Sequence, residues 1–78
     1  MEIVLASDQD RPNLFAELRV DGQPWAEVIY DAQREAYILT VLIGEERDWL
    51  SFDVAEVRRA LAAAKDALVK RGYPDLSV

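Results

Sequence analysis

The last third of the chain carries both a start signal and a stop signal for one α-helix, and this constrains the fold more than any other feature. Asp53 stands where its carboxylate can accept a hydrogen bond from the free backbone N–H group of Glu56, an arrangement that is common at the start of helices. Gly72 suits the left-handed position after a helix, and the proline two residues later cannot continue one. The sequence therefore predicts a helix over 53–72 and a tail over 73–78.

Apolar residues in this segment recur at helical spacing and form one stripe. They are Val54, Val57, Leu61, Ala64 and Leu68. The opposite side is charged, so we expect the apolar stripe to rest on another layer of structure.

The residues before the helix follow the two-residue period of β-strands. The predicted strands are 1–7, 14–21, 25–31, 36–43 and, as a candidate for a short fifth strand, 49–52. The segment 36–43 is apolar on both faces, which predicts that it is the most buried strand.

The turn at 21–23 sets how two of these strands pair. A three-residue loop there places Leu18 opposite Ala26 and Ala16 opposite Val28, which brings the apolar faces together. The sheet over 1–52 is then an antiparallel meander of four to five strands with one C-terminal helix packed on one face. This is an α+β fold with a single domain over 1–78.

One helix leaves the other face of such a sheet open. The alternation predicts that Phe15, Trp25 and Ile29 lie on that open face, where a cluster of apolar side chains usually marks an interface. We therefore expect a surface for a partner or for homodimer formation. The alternative is that sheet twist and neighbouring side chains cover these residues.

The net charge of −6 is unevenly distributed, and the chain has no histidine. Residues 1–57 hold 13 acids and four arginines, whereas residues 58–78 hold five bases and two acids. This excess of negative charge disfavours direct nucleic-acid binding and favours a protein partner with a basic surface. The alternative is that the charge only keeps a small protein soluble.

The densest acidic stretch precedes the helix and contains Glu45, Glu46 and Asp48, followed by Trp49. The carboxylates are candidate contacts for a basic partner, and Trp49 or Trp25 is a candidate anchor. An ordinary solvated turn, with Trp49 packed under the helix end, explains the same residues.

Catalytic chemistry is limited by composition. Without cysteine or histidine, thiolate and histidine-based mechanisms are excluded, as are thiolate metal sites. A carboxylate enzyme remains a third reading and requires burial to raise a pKa. The segment 8–13 begins like a calcium loop but lacks its glycine and closing glutamate. We expect no metal, no cofactor and no enzymatic activity.

The N-terminal residues contain neither the basic region nor the long apolar run of a signal peptide. No segment approaches the roughly 20 apolar residues that span a bilayer. We therefore expect a cytoplasmic protein without membrane contact.

Two protein families share this layout. Residues 25–71 resemble the strands and helix of HicB-type antitoxins, which block a small RNA-cleaving toxin, although the glycine-rich aromatic strand typical of that family is absent. Over its whole length, the small acidic chain is similar to phage anti-CRISPR proteins that inhibit type I Cascade complexes. Both resemblances imply a non-enzymatic inhibitor that blocks nucleic-acid access, and neither assigns a role to an individual residue.

Overall fold

The computed structural model describes residues 1–42 and 52–76, which form a four-stranded antiparallel sheet and one α-helix. The elements are β1 (Glu2–Ala6), β2 (Phe15–Val20), β3 (Gln23–Asp31), β4 (Ala36–Val41) and α1 (Val54–Val69). The strands lie in the order in which they occur in the chain, so the predicted meander with one helix is confirmed. Most of the candidate fifth strand lies outside the described residues, and Phe52 is not in a strand.

The pairing of β2 with β3 has the predicted register but a different turn. Leu18 lies opposite Ala26 and Ala16 opposite Val28, as expected. The loop, however, has two residues rather than three, because Val20 pairs with Gln23. Both loop residues have positive φ, 52° at Asp21 and 78° at Gly22, as a type I′ hairpin turn requires.

Because the loop is one residue shorter than predicted, β3 contains one residue without a partner in the register. This residue is Trp25, which forms a β-bulge opposite Leu18 and Arg19 of β2. The prediction that Trp25 lies on the open face is wrong. Its side chain is only 8% exposed and belongs to the core beneath the helix, where its ring lies 4.8 Å from that of Phe52. The bulge shifts the alternation by one residue, so Trp25 and Ala26 both contribute to the same core.

The core lies between α1 and the central strands. It contains alanines and larger apolar residues from both layers, and Leu18 and Leu68 are its largest fully buried side chains. Each such leucine contributes about 1.5–3 kcal/mol through burial. The small helix residues Ala60 and Ala64 let α1 lie close to the sheet.

Both ends of α1 carry the predicted signals. One carboxylate oxygen of Asp53 accepts hydrogen bonds from the N–H groups of Ala55 and Glu56, at 2.8 and 3.3 Å. At the other end, the Gly72 N–H donates to the Val69 carbonyl and the Tyr73 N–H donates to the Leu68 carbonyl. These are the two bonds of a Schellman motif, with Gly72 at a φ of 101°.

The helix packs mainly against β2 and β1 and less against β3. In the sheet of the described residues β4 is an edge strand, and α1 leaves it largely uncovered. The expectation that 36–43 is the most buried strand is therefore wrong over its described residues. Leu39 and Val41 point to the helix side of the sheet but are 43% and 54% exposed. Val54 also departs from the predicted stripe, because it is 72% exposed at the helix start.

The tail after the helix folds back over the sheet. The Tyr73 hydroxyl accepts a hydrogen bond from the Leu14 N–H at 2.9 Å, and the Tyr37 hydroxyl donates one to the Pro74 carbonyl at 2.6 Å. Lys65 on α1 bonds the Asp75 carboxylate at 2.9 Å. These contacts fasten residues 73–75 to both layers.

Candidate interaction surface on the open sheet face

The open face is the side of the sheet that points away from α1. The strand registers place the following residues on it: Glu2, Val4, Ala6, Phe15, Glu17, Arg19, Glu27, Ile29, Asp31, Ala36, Ile38 and Thr40. Their positions follow from the alternation of side chains along each strand, counted from core residues such as Leu18 and Val28.

An acidic pair occupies the middle of the open face. Glu17 and Glu27 are cross-strand partners on β2 and β3, so their carboxylates meet on the same side of the sheet. Only 15% and 13% of these side chains are exposed, which is low for glutamates.

Each glutamate of this pair has an arginine partner. The Arg11 guanidinium lies 2.7 Å from a Glu27 carboxylate oxygen, and that of Arg19 lies 3.2 Å from a Glu17 oxygen. The hydrogen bond from Arg11 to Glu27 raises the pKa of the arginine above its ordinary value, so Arg11 stays charged. The centre of the open face is therefore a group of two carboxylates and two guanidinium groups.

An apolar row lies beside this charged group. Ile29 and Ile38 are cross-strand partners, and extending the β2–β3 register by one residue places Phe15 next to Ile29. The Arg11 guanidinium lies 4.3 Å from the centre of the Phe15 ring, an arrangement that allows a cation–π interaction. Arg11 thus covers the aromatic ring and binds Glu27 at the same time, and Phe15 is nearly buried.

The structure brings together only some of the residues that sequence patterns selected as contacts. Phe15 and Ile29 lie on the open face, whereas Trp25 lies in the core on the opposite side. The acidic candidates Glu45, Glu46 and Asp48, together with Trp49, lie outside the described residues.

Sequence patterns did not select the acidic pair as a site. The signal was present, because the register that places Leu18 opposite Ala26 also places Glu17 opposite Glu27. The role of Arg11 had no such signal. It lies in the loop before β2, and only the folded structure shows that it reaches across to β3.

The described residues contain no group of three or more acidic side chains placed to hold a metal ion. Among them, no helix is long and apolar enough to cross a membrane. No protein-family model, no curated protein and no solved structure matches this chain.

Proposed function

We propose that this protein is a non-enzymatic inhibitor that binds a basic surface of a nucleic-acid-handling protein and blocks access of the nucleic acid. The observation that carries the proposal is the sheet face that α1 leaves uncovered, where Glu17 and Glu27 lie with their arginine partners beside an apolar row of Ile29 and Ile38. The net charge of −6 supports the same assignment, because complementary charge speeds the encounter of two proteins.

The open face offers apolar contacts as well as charge. Ile29 and Ile38 are half-buried there, next to the acidic pair. In protein interfaces, a few buried apolar anchors supply most of the affinity, and surrounding charged groups set orientation and specificity. A partner that combines basic side chains with an apolar contact fits this arrangement.

Two partner classes follow from the layout of the chain. The first is a type I Cascade complex, whose DNA-binding surface is basic, as for the anti-CRISPR proteins that this chain resembles. The second is a small RNA-cleaving toxin, as for HicB-type antitoxins. In both cases the inhibitor occupies the surface that otherwise binds nucleic acid.

The first experiment measures target-DNA binding by a type I Cascade complex with and without this protein, and RNA cleavage by a toxin in parallel. We expect a stable complex with one of the two and loss of its nucleic-acid binding or cleavage. Undiminished activity of both enzymes, with no complex formed at low salt, rejects the proposal.

A pair of charge reversals locates the contact. Glu2→Lys places a positive charge on the open face, whereas Asp66→Lys makes the same change on the exposed side of α1. We expect Glu2→Lys to weaken inhibition and Asp66→Lys to leave it unchanged. Equal effects of the two variants would mean that only net charge matters and that the open face is not the contact.

A second candidate function is self-association, and the exposure of Leu39 and Val41 on β4 favours it. An apolar edge strand without charged side chains is a ready site for pairing with another strand. Val41→Lys should then abolish a dimer seen by sedimentation, while Val54→Lys, a matched change at an exposed valine on α1, should not. A wild-type monomer at high concentration excludes this candidate.

A further inference from the structure

A groove runs between the outer edge of β1 and α1, at the sheet edge opposite β4. It consists of two cavities of about 440 and 300 Å³, and Ala63 lines both. Leu5 and Ile3 form its floor, one in each cavity, and further helix alanines form its wall. The space exists because α1 presents alanines on this side, which leave room next to the strand.

The backbone of β1 is available along this groove. The Leu42 N–H donates to the Trp25 carbonyl of β3, so alternation makes Thr40 and its partner Glu27 a hydrogen-bonded pair. When this alternation is followed from β3 to β2 and from β2 to β1, the backbone N–H and C=O groups of Val4 point toward β2. Those of its neighbours Ile3 and Leu5 then point outward, where the described residues place no further strand.

The groove also carries most of the positive charge that has no ion-pair partner among the described residues. Four bases, Arg11, Arg19, Arg34 and Lys65, form ion pairs with carboxylates. Four others form no ion pair with a described residue, and three of them line the groove: Arg59 in one cavity, Lys70 and Arg71 in the other. The fourth, Arg58, lines neither cavity.

Acidic side chains offset only part of this charge. Asp66 lies in one cavity, 3.8 Å from Lys65, and Glu56 lies in the other, 3.6 Å from the amino group of Met1. Both carboxylates therefore have a positive partner already. Within a chain of net charge −6, the rim of this groove therefore carries a local excess of positive charge.

We propose that the groove binds an extended acidic peptide segment of another protein, which adds to the sheet as a strand beside β1. The segment pairs with the outward backbone groups of Ile3 and Leu5, and every second side chain enters the groove next to Ala63. Its apolar side chains fill the middle of the groove. Carboxylates toward its two ends meet Arg59 at one cavity and Lys70 at the other.

This surface is separate from the open face, so the inference does not depend on the proposed inhibitor function. Glu17 and Glu27 point to the opposite side of the sheet from the groove. A failure of peptide binding leaves the test with Cascade or a toxin unaffected, and the reverse also holds.

The test uses a labelled peptide, acetyl-Glu-Thr-Val-Thr-Val-Thr-Glu-amide, in which the glutamates and valines share one face of a strand. Fluorescence anisotropy at low salt measures binding to the whole protein, for which we expect a Kd below about 1 mM. A peptide with lysines in place of the glutamates should bind at least about tenfold more weakly, which corresponds to ~1.4 kcal/mol. Nuclear magnetic resonance should show the largest amide shifts at Ile3 and Leu5.

Matched variants locate the contact. Ala63→Leu fills the groove, whereas Ala62→Leu makes the same change at a neighbouring exposed position that lines neither cavity. Lys70→Glu reverses a groove charge, and Arg58→Glu reverses the unpaired charge outside it. We expect at least a tenfold loss of peptide affinity for Ala63→Leu and Lys70→Glu, and no change for the two controls.

Four outcomes of the binding experiments overturn the proposal. They are the absence of peptide binding to the wild-type protein at millimolar concentration, equal binding of the acidic and basic peptides, equal effects of Ala63→Leu and Ala62→Leu in folded variants, and amide shifts confined to residues outside β1 and α1. A dimer that dissociates on Ala63→Leu also overturns it, because the occupant is then a second copy of this chain.

Discussion

Glu17 and Glu27 lie directly opposite each other on neighbouring strands, with both carboxylates on the open face of the sheet. Like charges at such a position repel and destabilise a sheet. Here each glutamate contacts an arginine, Arg19 at 3.2 Å and Arg11 at 2.7 Å. The two arginines therefore compensate a repulsion that would otherwise oppose folding, and they keep an acidic pair in the middle of the open face.

The first prediction concerns that compensation. Arg11→Gln should lower the free energy of unfolding, more at low salt than at high salt, because it leaves the Glu17–Glu27 repulsion unscreened and uncovers Phe15. Adding Glu27→Gln to this variant should restore part of the loss. Urea denaturation of the two single variants and the double variant at two salt concentrations measures the coupling.

Arg34→Gln is the control for this cycle. Arg34 pairs with Asp31 in the turn between β3 and β4, where its side chain is largely exposed, so its removal should change stability little. If Arg34→Gln and Arg11→Gln have the same effect and the same salt dependence, the acidic pair does not need its arginine.

The second prediction concerns the β-bulge. Trp25→Ala should lower the free energy of unfolding by about 3–5 kcal/mol, because it removes a nearly buried ring packed on Phe52. Trp25→Phe should cost less, since it keeps the ring contact and removes the indole Nε1, which is buried and has no hydrogen-bond partner among the described residues. Chemical denaturation compares them, and a Trp25→Ala variant as stable as the wild type would contradict the placement in the core.

The third prediction concerns the start of α1. Asp53→Ala should cost about 1 kcal/mol of stability, because it leaves the N–H groups of Ala55 and Glu56 without their acceptor. Asp53→Ser should be close to the wild type, since a serine hydroxyl can accept the same bonds. Thermal unfolding followed by circular dichroism distinguishes them, and two equal losses would point to the charge of Asp53 rather than to its cap.

The fourth prediction concerns pH. Burial raises the pKa of the Tyr37 hydroxyl above its ordinary value of 10.0, because the folded state disfavours the charged phenolate. The unfolded chain therefore loses this proton first, so the stability contribution of Tyr37 is complete below pH 10.0 and declines as the pH rises through the folded pKa. The free energy of unfolding should fall above that pH.

Tyr37→Phe should reduce this fall. It also removes the hydrogen bond to the Pro74 carbonyl, so the variant should be less stable at neutral pH by roughly 0.5–1.5 kcal/mol. The hydrogen bond to Asp75 raises the pKa of Lys65, so the stability that this pair contributes also declines as the pH rises. The pH dependence of the free energy of unfolding must therefore be compared between the wild type and the variant. Identical slopes above pH 10.0 would show that Tyr37 does not contribute.

The sequence by itself determined the elements that depend on local chemistry. Asp53 marks the start of the helix because the first backbone N–H groups need a nearby acceptor. Gly72 marks its end because the chain leaves the helix through a residue with positive φ, which glycine adopts readily. The register of β2 on β3 was also predictable, since only one pairing puts Leu18 and Ala26 on the same apolar face.

Only the tertiary structure decided which residues the two layers cover. Trp25 enters the core because the hairpin closes with two residues and places the extra one in the strand, a choice that the apolar pattern alone leaves open. The strand β4 is exposed because α1 lies mainly over β2 and β1, toward the opposite edge of the sheet. The contact of Arg11 with Glu27, and the groove between β1 and α1, likewise exist because segments that are separated along the chain meet there.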